Sequence, residues 1–135
     1  MLANFTQHAL RLMNNGKLVE FPSKGELRLT NVSGVKHADI ESCPAFTTPT
    51  YVFDEQVALE QIEKANVKKG SYIGVSMLLG QYLQANSNVL ADYGVVGPNT
   101  DPKKVVRVSE EGPQKGQIDY VFELVVYRTA PKPKN

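Results

Sequence analysis

Apolar and polar residues alternate in short runs near the start of the chain, and a charge-free apolar block fills positions 71–91. The first pattern predicts strands. Ala9-Leu10-Arg11-Leu12-Met13 alternates in part, Asn14-Asn15-Gly16 is a turn, and Lys17-Leu18-Val19-Glu20-Phe21 returns. Asparagine and glycine accept the positive φ that a tight hairpin turn needs, so these residues predict an N-terminal hairpin. Pro22-Ser23-Lys24-Gly25 is a second turn signal, and Glu26-Leu27-Arg28-Leu29-Thr30 alternates as a half-buried strand should.

The second pattern is the element around which the chain is organised. Tyr72, Ile73 and Val75, with Gly74 among them, read as a short strand covered on both faces. Ser76 then has the chemistry of an N-cap, because its hydroxyl oxygen can take a free amide of a first helical turn. Leu78, Tyr82 and Ala85 follow at helical spacing, widened by Leu79 and Leu83. Asn86-Ser87-Asn88 ends the helix. Glutamines and asparagines interrupt the apolar run well short of the ~20 residues that a membrane-crossing helix needs.

Elsewhere the pattern is weaker. Residues 31–42 read as a loop. Phe46 to Phe53 is rich in strand formers, with Pro49 placing it at a sheet edge or splitting it. Asp54 is suited to cap a helix running to about Ala65, with Ala58, Ile62 and Ala65 on one side. Tyr93 to Pro102 reads as a long Gly/Pro loop, Val105–Val108 as a short strand, and Gln117–Arg128 as one long strand with Tyr120, Phe122, Leu124 and Val126 on one face. The sum is a single α+β domain over residues 1–128, a mixed, mostly antiparallel, curled or barrel-like sheet with two helices, followed by a flexible tail at 129–135.

Composition narrows the function classes. Fifteen Lys and Arg against fourteen Asp and Glu give a net charge of +1, which argues against a dedicated nucleic-acid binder. Cys43 is the single cysteine, so no intramolecular disulfide and no cysteine-based zinc site is expected. The opening Met-Leu-Ala-Asn does not resemble a secretory signal, and the expectation is a cytoplasmic protein with no membrane partner.

Candidate chemistry is sparse. The strand-to-helix junction at Gly74-Val75-Ser76 offers free amides and a helix dipole to an anion, or is an ordinary capped helix. Ser76 lacks the glycine two residues on that a nucleophile elbow requires; Leu78 stands there. His8, near Thr6, is a general acid or base by residue type, or a polar residue bonded to a loop. His37, Asp39 and Glu41 match no standard metal spacing, and Cys43 has no activating basic neighbour. In the 93–102 loop, Tyr93 is suited to stack on a ring and Gly97 to let a ligand approach the backbone, while Arg107 is suited to meet a phosphate. Arg28, Arg107 and Arg128 all fall on expected strands.

Asn4-Phe5-Thr6-Gln7-His8, Phe21-Pro22-Ser23-Lys24-Gly25, Thr50-Tyr51, Gly74-Val75-Ser76 and Tyr93 to Pro98 together resemble a small family of uncharacterised bacterial and phage proteins. Its members open near Asn-Leu-Thr-Pro-His; Gln7 departs from the proline. The likeness spans about residues 4–128 and implies no activity. It does suggest a setting, the host-cell cytoplasm, in which small phage proteins act by binding, some by sequestering a host nucleotide immune signal.

Three functions follow as expectations. The first is a small-ligand binder for a nucleotide or phosphate compound, using Thr6, His8, Ser76, Tyr93, Gly97 and Arg107, with no cofactor and no metal. The second is an interaction protein, homo-oligomeric or bound to a host protein, pairing through the Phe46–Phe53 stretch. The third is a small hydrolase or lyase using His8 with Thr6 or Ser76.

Overall fold

The computed structural model describes residues 1–32, 34–48 and 50–132. In chain order the described elements are β1 (Leu2–Asn4), β2 (Leu10–Asn14), β3 (Lys17–Phe21), β4 (Thr30–Val32), β5 (Lys36–Ile40), β6 (Cys43–Phe46), β7 (Thr50–Val52), α1 (Glu55–Lys64), β8 (Tyr72–Gly74), α2 (Met77–Ala85), β9 (Gly94–Pro98), β10 (Val105–Arg107), β11 (Ile118–Val121) and β12 (Leu124–Arg128). The fold is α+β, with parallel and antiparallel pairings. The strands form one four-stranded sheet of order β1-β8-β9-β12, a second of order β10-β11-β2-β3, and two two-stranded ladders, β4-β7 and β5-β6. The expected barrel-like sheet is therefore corrected: no sheet closes among the described residues.

The first sheet carries the core. Ala3, Ile73 and Val95 lie side by side across β1, β8 and β9, and each is at most 1% exposed. Side chains alternate between the faces of a strand, so this row faces one way. It meets Ala58 and Ile62 of α1 and Leu79 and Leu83 of α2 in a single buried cluster, with Phe5, Leu27 and Val75. Both helices thus cover the same side of the sheet. Asp54 caps α1 by accepting the amide of Val57, and Ser76 caps α2 by accepting that of Leu79. Two glycines let α2 and β9 close on Tyr127. A Cβ at Gly80 would meet its ring, and one at Gly97 would stand 2.8 Å from the Val75 carbonyl oxygen and 3.1 Å from the ring.

The N-terminal hairpin forms as expected. Asn15 and Gly16 both have positive φ, and Asn14 pairs with Lys17 across the turn. Other boundaries moved. Leu2–Asn4 is a strand without a visible alternating pattern; it pairs in parallel with β8 at the rim of the first sheet. Of Glu26–Thr30 only Thr30 is extended into a ladder, while Leu27 is buried and its amide bonds the Phe5 carbonyl at 3.0 Å.

Two corrections matter for function. Gly94–Pro98, expected to be loop, is the buried strand β9 between β8 and β12. The apolar pair Val95-Val96 outweighs the flanking glycines and proline because both faces of the strand are covered. Gln117–Arg128, expected to be one strand, is two. Ile118–Val121 pairs in the second sheet and Leu124–Arg128 in the first, so this segment carries the chain from one sheet to the other. Of the residues expected on one face, Phe122 and Val126 are exposed, while Val121, next to Phe122 in sequence, is fully buried.

The 31–42 stretch, expected to be loop, contains most of a long hairpin. β4 pairs with β7, and β5 pairs with β6 beyond it; Val35 and Thr47 exchange hydrogen bonds between the two ladders. Glu41 and Ser42 turn the tip with φ of 49° and 65°. The expectation placed on Pro49 lies outside the described residues, although the stretch around it does divide into β6 and β7. So do residues 133–135 of the expected tail; Ala130, before them, packs beside Gly94 of β9.

Candidate functional site

The six candidate ligand residues occupy different parts of the fold. Thr6 and His8 sit in the turn after β1, where they frame a buried asparagine. Asn4 is 1% exposed, and its side chain is fully used. Its Nδ2 donates to the carbonyls of His8 (2.8 Å) and Phe21 (2.9 Å), and its Oδ1 accepts from the amide (2.9 Å) and hydroxyl (2.6 Å) of Thr6. The Ser23 hydroxyl donates to the Thr6 carbonyl at 2.6 Å, and the Lys24 amide to the Asn4 carbonyl at 2.8 Å. The Asn4–His8 and Phe21–Gly25 motifs are therefore two halves of one joint. A buried amide group that meets all its hydrogen bonds specifies local geometry. His8 is exposed and enters this joint through its carbonyl.

Ser76 is exposed, and its oxygen accepts the Leu79 amide at 3.4 Å. Tyr93 is 2% exposed and part of the core cluster, so its ring offers no free face for stacking. Burial, with Asp92 and Glu63 nearby, pushes its phenol above the ordinary tyrosine range. Gly97 is buried against Tyr127, and close packing accounts for the missing side chain. Arg107 is exposed at the outer strand of the second sheet and donates to the Gly116 carbonyl at 2.9 Å. Two surface grooves described below are lined by none of the six residues.

Arg128 is the arginine that turns inward. It sits on β12 and reaches the end of α2. Its Nη1 donates to the carbonyls of Val89 (2.8 Å), Leu83 (3.3 Å) and Ser87 (3.4 Å), and its Nη2 to those of Leu90 (2.5 Å) and Tyr93 (3.2 Å). Carbonyls at a helix C-terminus lack intrahelical partners and carry the negative end of the dipole. One guanidinium satisfies the last turn and the loop that follows. Burial pulls its pKa below the ordinary arginine range. The sequence placed Arg128 on a strand but held no signal for its partners, which lie 35–45 residues away.

Two grooves lie elsewhere. One, of about 450 Å³, runs between the Pro22–Gly25 turn and α1 and is lined by Lys24, Val57, Glu60, Gln61, Lys64 and Ala65. The other, of about 270 Å³, lies on the second sheet between β2, β3 and the β11–β12 crossing, and no charged residue lines it.

The most exposed apolar surface belongs to the long hairpin. All of β5 is exposed, as is β6 apart from Ala45. Lys36 pairs with Phe46 on one face and His37 with Ala45 on the other, and the register then shifts so that Ile40 pairs with Cys43. Ile40 is 59% and Phe46 66% exposed. Among the described residues, no helix or further strand packs substantially on β5 or β6. Among the described residues there is no cluster of three or more potential metal ligands, and no helix is long and apolar enough to cross a membrane. No family model, curated protein or solved structure matches this chain.

Proposed function

We propose that this chain is an interaction protein whose contact element is the hairpin arm from Thr30 to Val52. The observation that carries the reading is the exposed outer ladder, on which Ile40 and Phe46 stay largely uncovered among the described residues. A two-stranded ribbon is at best marginally stable alone in water. Large apolar residues left exposed on such a ribbon gain their burial from a partner surface. The reading replaces general pairing through Phe46–Phe53 with a defined hairpin whose outer part is β5 and β6.

A photo-crosslinking residue at position 46 tests this in cells producing the protein. Position 46 is expected to yield adducts of higher mass, and position 37, on the opposite face, few. Absence of adducts from position 46 would overturn the reading.

A second reading keeps a small phosphate ligand and moves it from the six candidate residues to the groove beside α1. The observation in its favour is that Lys24 and Lys64 line one concavity there, and two ammonium groups suit a phosphate. Glu60 in the same lining weakens it.

A further inference from the structure

We infer that residues 86–92 form a strained latch that opens as a unit ahead of the rest of the fold. It is held shut by Glu55 and Arg128, which act on the two peptide groups flanking the Leu90 α-carbon. The inference is separate from the interaction reading and uses none of its residues. It starts from the backbone. Among the described residues, the non-glycine positions with positive φ are Asn15, Glu41, Ser42, Asn66 and Leu90. The first four are polar and exposed. Leu90, with φ of 51°, is 1% exposed and belongs to the core cluster. A bulky side chain in the left-handed region crowds its own backbone. Such strain persists only where the surrounding structure over-determines it.

Three supports hold Leu90 in place. Glu55, the first residue of α1, accepts the Leu90 amide on Oε2 at 2.7 Å. Arg128 of β12 donates to the Leu90 carbonyl at 2.5 Å and to that of Val89 at 2.8 Å. The Leu90 side chain is itself seated in the core. The two charged supports lie 35 and 38 residues away along the chain, so tertiary contacts and not local sequence impose the conformation. Against them stand the strain and the character of the segment. Asn86, Ser87, Asn88, Ala91 and Asp92 are exposed, and Leu90 is the one fully buried residue of 86–92. A segment with so few buried apolar contacts opens at low cost. Opening withdraws Leu90 from the core, releases the carbonyls at the end of α2 and frees the Arg128 guanidinium. A group that binds the open form better than the closed one shifts the latch toward open.

Native-state hydrogen exchange on the purified full chain tests this. It is read at the hydrogen-bonded amides of Asn86, Val89, Leu90 and Tyr93, with those of Val75 and Gly94 in the first sheet as reference. In the wild type the four latch amides are expected to open together. They should do so at least about a hundredfold more often than the reference pair, and with little dependence on denaturant. Glu55→Ala is expected to raise that opening about tenfold, the scale of a hydrogen bond to a charged group. Glu55→Gln keeps an acceptor oxygen and should restore most of the protection. Glycine accepts positive φ freely, so Leu90→Gly should open about fivefold less often than Leu90→Ala, the reverse of their order at an ordinary backbone position. Latch amides that exchange only with the reference pair would overturn the inference. So would glutamine no better than alanine at 55, or alanine better than glycine at 90. If the smaller side chains at 90 unfold the chain, the wild-type exchange and the Glu55 pair decide the matter.

Discussion

The strand-to-helix unit at 71–86 and the arm at 30–52 differ in what holds them. In the first, Ile73, Val75, Leu79 and Leu83 are fully buried, the helix is capped at its start by Ser76, and Arg128 collects carbonyls at its end. In the second, the strands hold one another by ladder hydrogen bonds, and the outer ladder has almost no buried side chain. Both are regular secondary structure. The difference is that backbone pairing gives geometry, whereas apolar burial supplies most of the free energy. Residues in the first region are therefore expected to govern stability, and residues on the arm to govern association.

The largest effect should come from Leu83→Ala. Leu83 is fully buried between α2 and the sheet, and the lost contacts and cavity should cost about 4 kcal/mol. Chemical denaturation measures this as a lower midpoint with an unchanged slope. A loss below 1 kcal/mol would mean that the site relaxes around the smaller side chain and the core is loosely packed.

Next in size is Arg128→Met, which keeps an unbranched apolar stem and removes the guanidinium. Five carbonyls each lose one donor, and the expected cost is about 3 kcal/mol, since hydrogen bonds to a charged group contribute more than neutral ones. Hydrogen exchange should show the loss concentrated in the last turn of α2 and in residues 87–93. Uniform loss across the chain would argue against a local clamp.

The smallest effect on stability is expected on the arm. Phe46→Asp should leave the monomer's unfolding free energy within about 0.5 kcal/mol of wild type, as for surface substitutions that touch nothing. The same change is the one expected to disturb association most. If it destabilised the isolated monomer by as much as Leu83→Ala, the contrast between the two regions would be false.

Much of the local structure was legible in the residues. The Asn14-Asn15-Gly16 hairpin, the Asp54-capped α1 and the Ser76-capped α2 all stand as expected, because a turn or a cap is settled by a few neighbouring residues. The strand assignments failed where distant partners decide. Leu2–Asn4 becomes a strand by pairing with Tyr72–Gly74, and β9 outweighs its glycines and proline because β8 and β12 flank it. The candidate site was less legible. Tyr93, Gly97 and Ser76 were singled out for residue type and spacing, but the first two are held by packing and the third by capping. The arm was hidden because Lys36-His37-Ala38-Asp39-Ile40 is polar enough to read as loop, and its alternation is diluted by alanine at the centre.

By itself the sequence determined the α+β class, the two helices with their caps, the N-terminal hairpin and the charge-free stretch that became the core. Each of these depends on contacts within a few residues or on bulk apolar content. Only the tertiary structure decided that two four-stranded sheets are joined at Phe122-Glu123, that Arg128 closes α2, and that β5 and β6 form an exposed ladder. Those outcomes depend on which residues distant in sequence meet, and on which apolar residues find no neighbour within the chain.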